Sequence, residues 1–395
     1  MVKLETRKKL IRITTIPRSL SILLRNQLNF MNQYFDVIGI SSQGSYLLEV
    51  YLNENIKTYA VNMTRTISLY KDFRALCAIV KIIRNEKPQI VHTHTPKAGT
   101  LGMIAAWLCR VPVRMHTVAG LPLLETKGLK RKLLDFIEKI TYSCATNVYP
   151  NSFGLYEIIL NHGYTKEIKL KIIGNGSSNG IDIIHFSRSQ ITDEITDKTK
   201  ENYGINQTDF IFIFIGRIVK SKGINELITA FKIVNKHNPE TKLLLVGEFE
   251  HELDPLDKQT IIDIKQHSNI IFTGFKSDIR PFLAIAKTLV LPSYREGLPN
   301  SPLQACAMGI PSIVSNINGC NEIIIHEHNG LLVPPKSTEA LQKAMERLLL
   351  DSKLYLKLAS NARESIITRY NQNSLWEQIK MEYEEQLKNA DCYEL

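Results

Sequence analysis

The sequence predicts an α/β protein of two domains, each built on a doubly wound parallel sheet. Near-continuous apolar runs, typical of buried parallel strands, alternate with segments of helical period through most of the 395 residues. A stretch rich in glycine, serine and asparagine, residues 174–182, interrupts this alternation near the middle of the chain. We therefore expect two Rossmann-like domains that face each other across a cleft, with ligands at the carboxyl ends of the strands.

The predicted strands fall into two series, and helical periods such as residues 70–85, 97–110 and 127–142 separate them. The first series comprises residues 10–15, 35–40, 56–61, 89–94, 111–117, 146–150 and 169–174. The second series comprises residues 210–216, 242–247, 269–274, 288–293, 311–315 and 330–334. These series place the first domain at residues 1–182, a linker at 183–207 and the second domain at 208–372. Residues 373–395 form a predicted helix that we expect to pack back on the first domain.

The overall composition is that of a globular protein, with 44% hydrophobic and 22% charged residues. No run of about 18 apolar residues occurs, and the N-terminus lacks the apolar core of a secretion signal, so we expect a cytoplasmic protein. The six cysteines are scattered without a CxxC pair, which favours reduced thiols over a disulfide or metal framework.

The net charge of +10 is concentrated in the first half of the chain. Residues 1–180 hold 25 lysines and arginines against 11 acidic residues. An anionic membrane surface is the partner that best fits a cytosolic protein with this asymmetry. Nucleic acid is disfavoured because no helix-turn-helix, zinc finger or aromatic stacking motif accompanies the charge. A charge that only maintains solubility is the alternative.

The first motif with chemical content follows the predicted strand 210–216. Gly216-Arg217 ends this strand, and Lys222-Gly223 begins the next helix. Cations at a helix N-terminus oppose the helix dipole by roughly 0.3–1 kcal/mol, and a bound anion removes the conflict. The motif therefore predicts a diphosphate site, with a solvated charged loop as the alternative.

The second motif, residues 295–304, follows the predicted strand 288–293. Ser301, Pro302 and Gln304 have the spacing of an N-cap, a first helical residue and the far member of a capping box. Glu296 precedes this helix, where its carboxylate can accept hydrogen bonds from sugar hydroxyls. The alternatives are that Glu296 only compensates the helix dipole and that Gln304 only closes the cap.

Three histidines mark two predicted strand ends in the first half: His92, His94 and His116. Adjacent parallel strands would bring their ends together, which favours polar recognition or proton handling. A purely structural role for each histidine is the alternative.

Several motifs of other enzyme classes are absent from the sequence. There is no GxGxxG after the first strand and no GxxxxGK[ST], so nicotinamide enzymes and P-loop enzymes are disfavoured. No DxD occurs, and the acidic residues between 248 and 254 are more typical of a solvated loop than of a metal site. We therefore expect no metal and no cofactor.

The order of these motifs resembles the group 1 (family 4) retaining glycosyltransferases with the GT-B fold. The resemblance rests on Gly216-Arg217 with Lys222-Gly223, on Glu296-Gly297-x-Pro299, on Gly309-x-Pro311 and on the sequence NGLLV at 329–333. In the first half, residues 91–102, 113–122 and 179–182 resemble the branch that builds bacterial capsule, O-antigen, lipopolysaccharide and exopolysaccharide.

This resemblance implies a UDP-sugar donor, transfer with retention and no metal. The implied donor sugar is an N-acetylated hexose or a deoxyhexose, and the implied acceptor is a saccharide on polyprenyl diphosphate. The first domain would bind this acceptor and the second the nucleotide sugar, in an enzyme attached peripherally to the inner face of the cytoplasmic membrane.

The resemblance also assigns residues by position. Arg217 and Lys222 would bind the donor diphosphate, Glu296 the sugar, and His116 would face the reacting sugar. These four form the predicted catalytic set. The predicted substrate-binding residues are Gly216, Arg217, Lys222, Gly274, Phe275, Glu296, Gly297, Leu298, Pro299, Asn300, Gln304 and His94. The family usually has a ribose-binding glutamate where this chain has Gln304.

Retention without an obvious nucleophile implies attack on the same face of the sugar, with the leaving phosphate accepting the proton of the acceptor. Two other functions fit the same motifs. A UDP-sugar epimerase on this fold needs no acceptor, and a catalytically weak UDP-sugar-binding subunit is compatible with Gln304.

Overall fold

A computed structural model describes residues 7–250 and 254–393. The chain divides into two compact units. The first unit contains Met1–Gly180 and Gln372–Leu395, and the second contains Ile181–Asn371. Each unit holds one six-stranded parallel sheet. The two doubly wound α/β domains predicted from the strand pattern are therefore present.

The sheet of the first unit has the strand order β3-β2-β1-β4-β5-β6. Its strands are β1 Lys9–Ile13, β2 Asp36–Ser41, β3 Lys57–Ala60, β4 Ile90–His94, β5 Val113–Val118 and β6 Asn147–Pro150. Strands β1 to β3 extend the sheet in one direction, and β4 to β6 extend it in the other. The topological switch point therefore lies between β1 and β4. The strand predicted at 169–174 does not form, because only Leu170 bridges to Val148 of the sheet.

Helices cover both faces of this sheet. They are α1 Gln27–Asn32, α2 Ser45–Glu54, α3 Leu69–Glu86, α4 Pro96–Leu108, α5 Gly128–Cys144, α6 Phe153–Asn161 and, at the end of the chain, α16 Gln372–Tyr393. The apolar side chains Leu375, Trp376, Ile379 and Tyr383 of α16 are buried in one cluster with residues of β1 and α1. The predicted C-terminal helix thus belongs to the first unit.

The sheet of the second unit has the strand order β12-β11-β10-β7-β8-β9. Its strands are β7 Phe210–Ile215, β8 Thr241–Val246, β9 Ile270–Gly274, β10 Thr288–Leu291, β11 Ser312–Ser315 and β12 Gly330–Val333. All pairings are parallel, and the switch point lies between β7 and β10. The six predicted strands of the second series all form.

The first helix of the second unit lies in the stretch that was predicted to be a linker. The helices of this unit are α7 Asp193–Asn202, α8 Ile224–His237, α9 Lys258–Gln266, α10 Arg280–Ile285, α11 Asn300–Ala307, α12 Cys320–Ile323, α13 Thr338–Leu350, α14 Ser352–Ala362 and α15 Glu364–Ile367. The prediction of a linker at 183–207 was wrong, because this stretch contains α7. Thr192 caps α7, and Ile191 and Ile205 on either side of it are buried with Phe282 of α10.

Two further features of the described residues concern membrane-spanning helices and cysteines. Within residues 7–250 and 254–393, no helix has the length and apolarity needed to cross a membrane. All six cysteines are free thiols.

Candidate functional site

Predicted site residues lie at the carboxyl ends of three strands of the second sheet, β7, β9 and β10. Gly216 follows β7 and Gly274 ends β9, while Gly247 follows β8 between them. A Cβ on Gly247 would lie 1.8 Å from the carbonyl oxygen of Gly216, and Gly247 N donates to Gly274 O at 3.0 Å. The strand ends therefore pack backbone against backbone, and the first side chains beyond this edge are those of Arg217, Glu248 and Phe275.

Lys222 and Glu296 meet at the switch point of this sheet. Lys222 lies in a short 3₁₀ turn, Lys220–Lys222, between β7 and α8, and Glu296 lies in the loop after β10. Lys222 Nζ contacts Glu296 Oε1, and only 18% and 10% of the two side chains are exposed. Ser293 Oγ donates to the same carboxylate oxygen at 2.7 Å. The structure thus brings together the predicted diphosphate ligand and the predicted sugar ligand.

Backbone contacts hold these two loops in place. Gly223 has a φ of 71°, and a Cβ there would lie 2.1 Å from the carbonyl oxygen of Pro292, so the position requires glycine. Tyr294 N also donates to Ser221 O at 2.9 Å. The turn that carries Lys222 is therefore fixed against the loop that carries Glu296.

A third loop, after β11, supports the turn at Glu296-Gly297. Asn318 Nδ2 donates to the carbonyl oxygen of Glu296 at 2.6 Å. A Cβ on Gly319, whose φ is 76°, would lie 1.7 Å from the carbonyl oxygen of Gly297. Sequence analysis missed Ser293, Asn318 and Gly319 as supporting residues, although an Asn-Gly pair is a recognisable turn signal.

Arg217 is placed differently from Lys222. Its Nη1 forms an ion pair with Oε2 of Glu250, and about half of its side chain is exposed. The acidic segment that was interpreted as a solvated loop therefore supplies a partner for the predicted diphosphate ligand. An anion that binds Arg217 would compete with Glu250.

Helix α11 begins two residues before the predicted start. Its N-cap is Pro299, which is extended, and no side chain caps the helix. The predicted capping box of Ser301 and Gln304 was wrong, because Asn300 is already helical and Ser301 lies inside the first turn. Pro302 is tolerated there because first-turn N–H groups have no helical partner. Gln304 is half-buried in the second turn, and no hydrogen bond of its side chain occurs within the described part of the chain.

The histidines of the first unit do not converge. Thr93 of β4 is in register with His116 of β5, so His116 lies on the face of the sheet opposite to His92 and His94. His116 Nδ1 lies 2.8 Å from Thr93 Oγ1, and its ring is buried beneath Gly99 of α4. Burial lowers the pKa of His116 to about 4, so this imidazole is neutral at physiological pH. It can accept or donate a neutral hydrogen bond but cannot act as an imidazolium acid.

His92 and His94 stack on the other face, with ring centroids 4.4 Å apart. Burial and the neighbouring Arg12 lower the pKa of both rings well below the usual value. His94 Nε2 lies 2.7 Å from Arg12 Nη2. The predicted substrate-binding residue His94 therefore belongs to a buried polar network around Arg12.

No group of three or more His, Cys, Asp or Glu side chains in residues 7–250 and 254–393 is arranged to hold a metal ion. The candidate site of the second unit thus consists of one buried ion pair, one more exposed arginine and the first turn of α11.

Family models match both units. The model for glycosyl transferases group 1 matches residues 195–365, and the model for a glycosyl transferase 4-like domain matches residues 46–176. The capsular polysaccharide biosynthesis glycosyltransferase CapM of Staphylococcus aureus is 32% identical over 386 residues, which are 97% of this chain and 99% of that protein. The UDP-Gal:alpha-D-GlcNAc-diphosphoundecaprenol alpha-1,3-galactosyltransferase of Escherichia coli is 30% identical over 345 residues, 86% of each chain.

A solved structure shares the fold over almost the whole chain. The crystal structure of HepE of Anabaena in complex with UDP and glucose has a TM-score of 0.81 at 17% identity and covers 96% of this chain and 100% of that one. At this identity the likeness concerns the fold, which is the two-domain α/β arrangement known as GT-B.

Proposed function

We propose that this chain, which belongs to the group 1 glycosyl transferases, moves a sugar with retention from a UDP-sugar to a saccharide on polyprenyl diphosphate. Membership of the family makes it a glycosyltransferase. One relative is named for capsular polysaccharide biosynthesis and another for a lipid-linked acceptor, and both support a role in bacterial surface polysaccharide biosynthesis. The first unit would bind the acceptor, and the second unit the nucleotide sugar.

The observation that carries this proposal is the Lys222–Glu296 pair at the switch point of the second sheet. Ligands of open parallel sheets bind at this point. Cleavage of the bond between the sugar and UDP places negative charge on the leaving diphosphate, which Lys222 can stabilise. Since both side chains are largely buried, this attraction is stronger than at a surface. Glu296 would accept hydrogen bonds from hydroxyls of the sugar.

A same-face mechanism accounts for retention with these residues. The acceptor oxygen forms a bond to the anomeric carbon while the bond from that carbon to the phosphate oxygen breaks. The proton of the acceptor hydroxyl passes to the departing phosphate, so no protein nucleophile or metal is required. We do not assign His116 to the reacting sugar, because its ring is buried beneath Gly99 of α4 and lies 2.8 Å from Thr93 Oγ1.

The names of the relatives support particular chemical classes of donor and acceptor. The Escherichia coli relative is named as using UDP-galactose and a GlcNAc-diphosphoundecaprenol acceptor. We propose a UDP-sugar donor and an acceptor on polyprenyl diphosphate here as well, but with an N-acetylated hexose or a deoxyhexose as the transferred sugar in place of galactose.

Helix α5 supports peripheral attachment to the inner face of the cytoplasmic membrane. Leu129, Leu133 and Phe136 recur at helical spacing, and each is exposed. Lys130 and Lys132 lie beside this stripe and are also exposed. An exposed apolar stripe flanked by lysines is typical of a helix that lies in the interface of an anionic membrane.

The test incubates the purified full chain with a panel of UDP-hexoses, UDP-N-acetylhexosamines and UDP-deoxyhexoses, and with GlcNAc-diphosphoundecaprenol. Mass spectrometry detects transfer, and NMR assigns the anomeric configuration of the product. We expect transfer with the configuration of the donor, abolished in Glu296→Gln and kept in the control Lys232→Ala, whose side chain pairs with Asp263 on α9.

Other outcomes would contradict the proposal in distinct ways. Conversion of one UDP-sugar into another without acceptor would indicate an epimerase. UDP binding without transfer to any lipid extract would indicate a binding subunit. Inversion at the anomeric carbon would refute the same-face mechanism.

A further inference from the structure

A small cavity of about 20 Å³ lies within the first unit, on the face of the sheet covered by α16. Arg12, His94, Thr117, Asn151, Ser178 and Ile379 are among the residues that line it. A cavity of this size accommodates a monatomic ion or one or two water molecules. It lies in the first unit and shares no residue with the Lys222–Glu296 site.

Four buried polar atoms of the lining residues have no hydrogen-bond partner among the described groups. They are Arg12 Nε, His94 Nδ1, Asn151 Oδ1 and Ser178 Oγ. Each of these side chains is more than nine-tenths buried. Since buried polar atoms are nearly always hydrogen-bonded, four around one cavity indicate a common ligand.

The surrounding hydrogen bonds show that these atoms are mainly donors. Arg12 has no acceptor atoms, so its Nη2 donates to His94 Nε2 at 2.7 Å. The proton of the neutral His94 ring must then be on Nδ1, which is one of the four atoms. Arg12 Nε and the Ser178 hydroxyl are donors as well, and rotation of the Asn151 amide would present its NH₂ group in place of Oδ1.

Arg12 is also a buried charge without a counterion. Its guanidinium is fully buried, and its hydrogen-bond partners among the described residues are the neutral groups of Tyr383, Gln27 and His94. Among the described residues no carboxylate pairs with it. The buried Glu382 of α16 instead pairs with Lys171 and accepts a hydrogen bond from Tyr149. A buried, unpaired charge is strongly unfavourable unless an opposite charge or strong dipoles compensate it.

We propose that this cavity binds a monatomic halide anion, such as chloride, through Arg12, His94 and Ser178. The anion would neutralise Arg12 and accept hydrogen bonds from donors that otherwise lack partners. Ser178 precedes the exit of the chain from the first unit at Gly180, and Ile379 lies on α16, with which the chain returns. The anion would therefore fasten the 176–178 segment to β1 and β4, independently of glycosyl transfer.

The test measures thermal unfolding of the full chain while chloride replaces gluconate, an anion too large for the cavity, at constant ionic strength. A ligand that binds only the folded state raises the melting temperature with its concentration. We expect a saturable increase with chloride and with bromide, and an anomalous bromide peak within hydrogen-bond reach of Arg12 in crystals.

Variants separate this site from general salt effects. Arg12→Gln should abolish the halide dependence, and Ser178→Ala, the milder variant, should weaken apparent halide affinity several-fold. The control Arg114→Gln should retain it, because Arg114 donates instead to the carbonyls of Cys144 and Val111. Equal responses to chloride and gluconate, or water density without a bromide peak in the cavity, would overturn the proposal.

Discussion

Lys222 and Glu296 form a mostly buried ion pair although 74 positions separate them in the sequence. Each lies in the segment that follows one of two adjacent central strands, β7 and β10. The pair places a cation and a hydrogen-bond acceptor side by side before any ligand arrives, so little reorganisation is needed during sugar transfer.

The first prediction concerns the two cations at this edge. Lys222→Ala and Arg217→Ala should each lower kcat/KM about 10²- to 10³-fold, because each removes a charge that stabilises the leaving diphosphate. Steady-state transfer kinetics and the melting temperature are the measurements. Lys232→Ala is the control, and near-normal turnover of both site variants would contradict the assignment of a diphosphate site.

The second prediction concerns Gln304, whose side chain does not cap α11. If Gln304 binds the ribose of the donor, Gln304→Leu should weaken UDP affinity by about 1–3 kcal/mol, because it leaves a ribose hydroxyl unpaired. Gln304→Glu should keep or strengthen this affinity, since hydrogen bonds to a charged acceptor are stronger. Calorimetry with UDP measures both, with Gln342→Leu on α13 as the matched control. Unchanged UDP affinity in Gln304→Leu would remove Gln304 from the donor site.

The third prediction is full transferase activity in excess EDTA. The residues assigned to the diphosphate are cations, and they would supply the charge that a divalent ion supplies in metal-dependent enzymes. The assay compares initial rates with EDTA, with magnesium and with manganese. Loss of activity in EDTA that either metal restores would show that a metal takes part.

The fourth prediction concerns the exposed stripe of α5. The full chain should sediment with vesicles that contain anionic lipid at low salt and dissociate at high salt, because surface attraction is screened within a Debye length. Phe136→Ser and Leu129→Ser should each reduce binding, whereas Leu356→Ser, an exposed leucine of α14 in the second unit, should not. Equal binding to neutral vesicles, or binding unaffected by the α5 substitutions, would rule out this surface.

The fifth prediction links His116 to stability. Its pKa is about 4 in the folded chain against an ordinary value of 6.5, so the unfolded chain binds an extra proton between these pH values. The free energy of unfolding should therefore fall as the pH drops from about 6.5 to 4, by roughly 3 kcal/mol from this group. His92 and His94 contribute in the same direction. Denaturant unfolding across this range should show a shallower pH dependence in His116→Asn, and an identical slope would mean that His116 is not buried as a neutral ring.

The sequence alone determined the fold class and the loops that carry chemistry. Apolar strand runs and helical periods are local patterns, so twelve of the thirteen predicted strands form in the structure. The exception, residues 169–174, has the composition of a strand, but only Leu170 pairs with the sheet. Arg217, Lys222 and Glu296 could be singled out because each follows a recognisable strand, and parallel strands end at a common edge.

Tertiary structure decided the contacts between these segments. The register of β4 against β5 put His116 on the opposite face from His94, and a shift of one residue would have reversed this. The polar composition of residues 183–207 predicts a linker, but α7 packs against α10, so this stretch is part of the second unit. Helix α11 begins after Pro299, which is extended, and not after Ser301, the cap predicted from the sequence. The Lys222–Glu296 pair and the Arg12 network join residues distant in the chain, and local periodicity carries no information on which distant side chains share one dry environment.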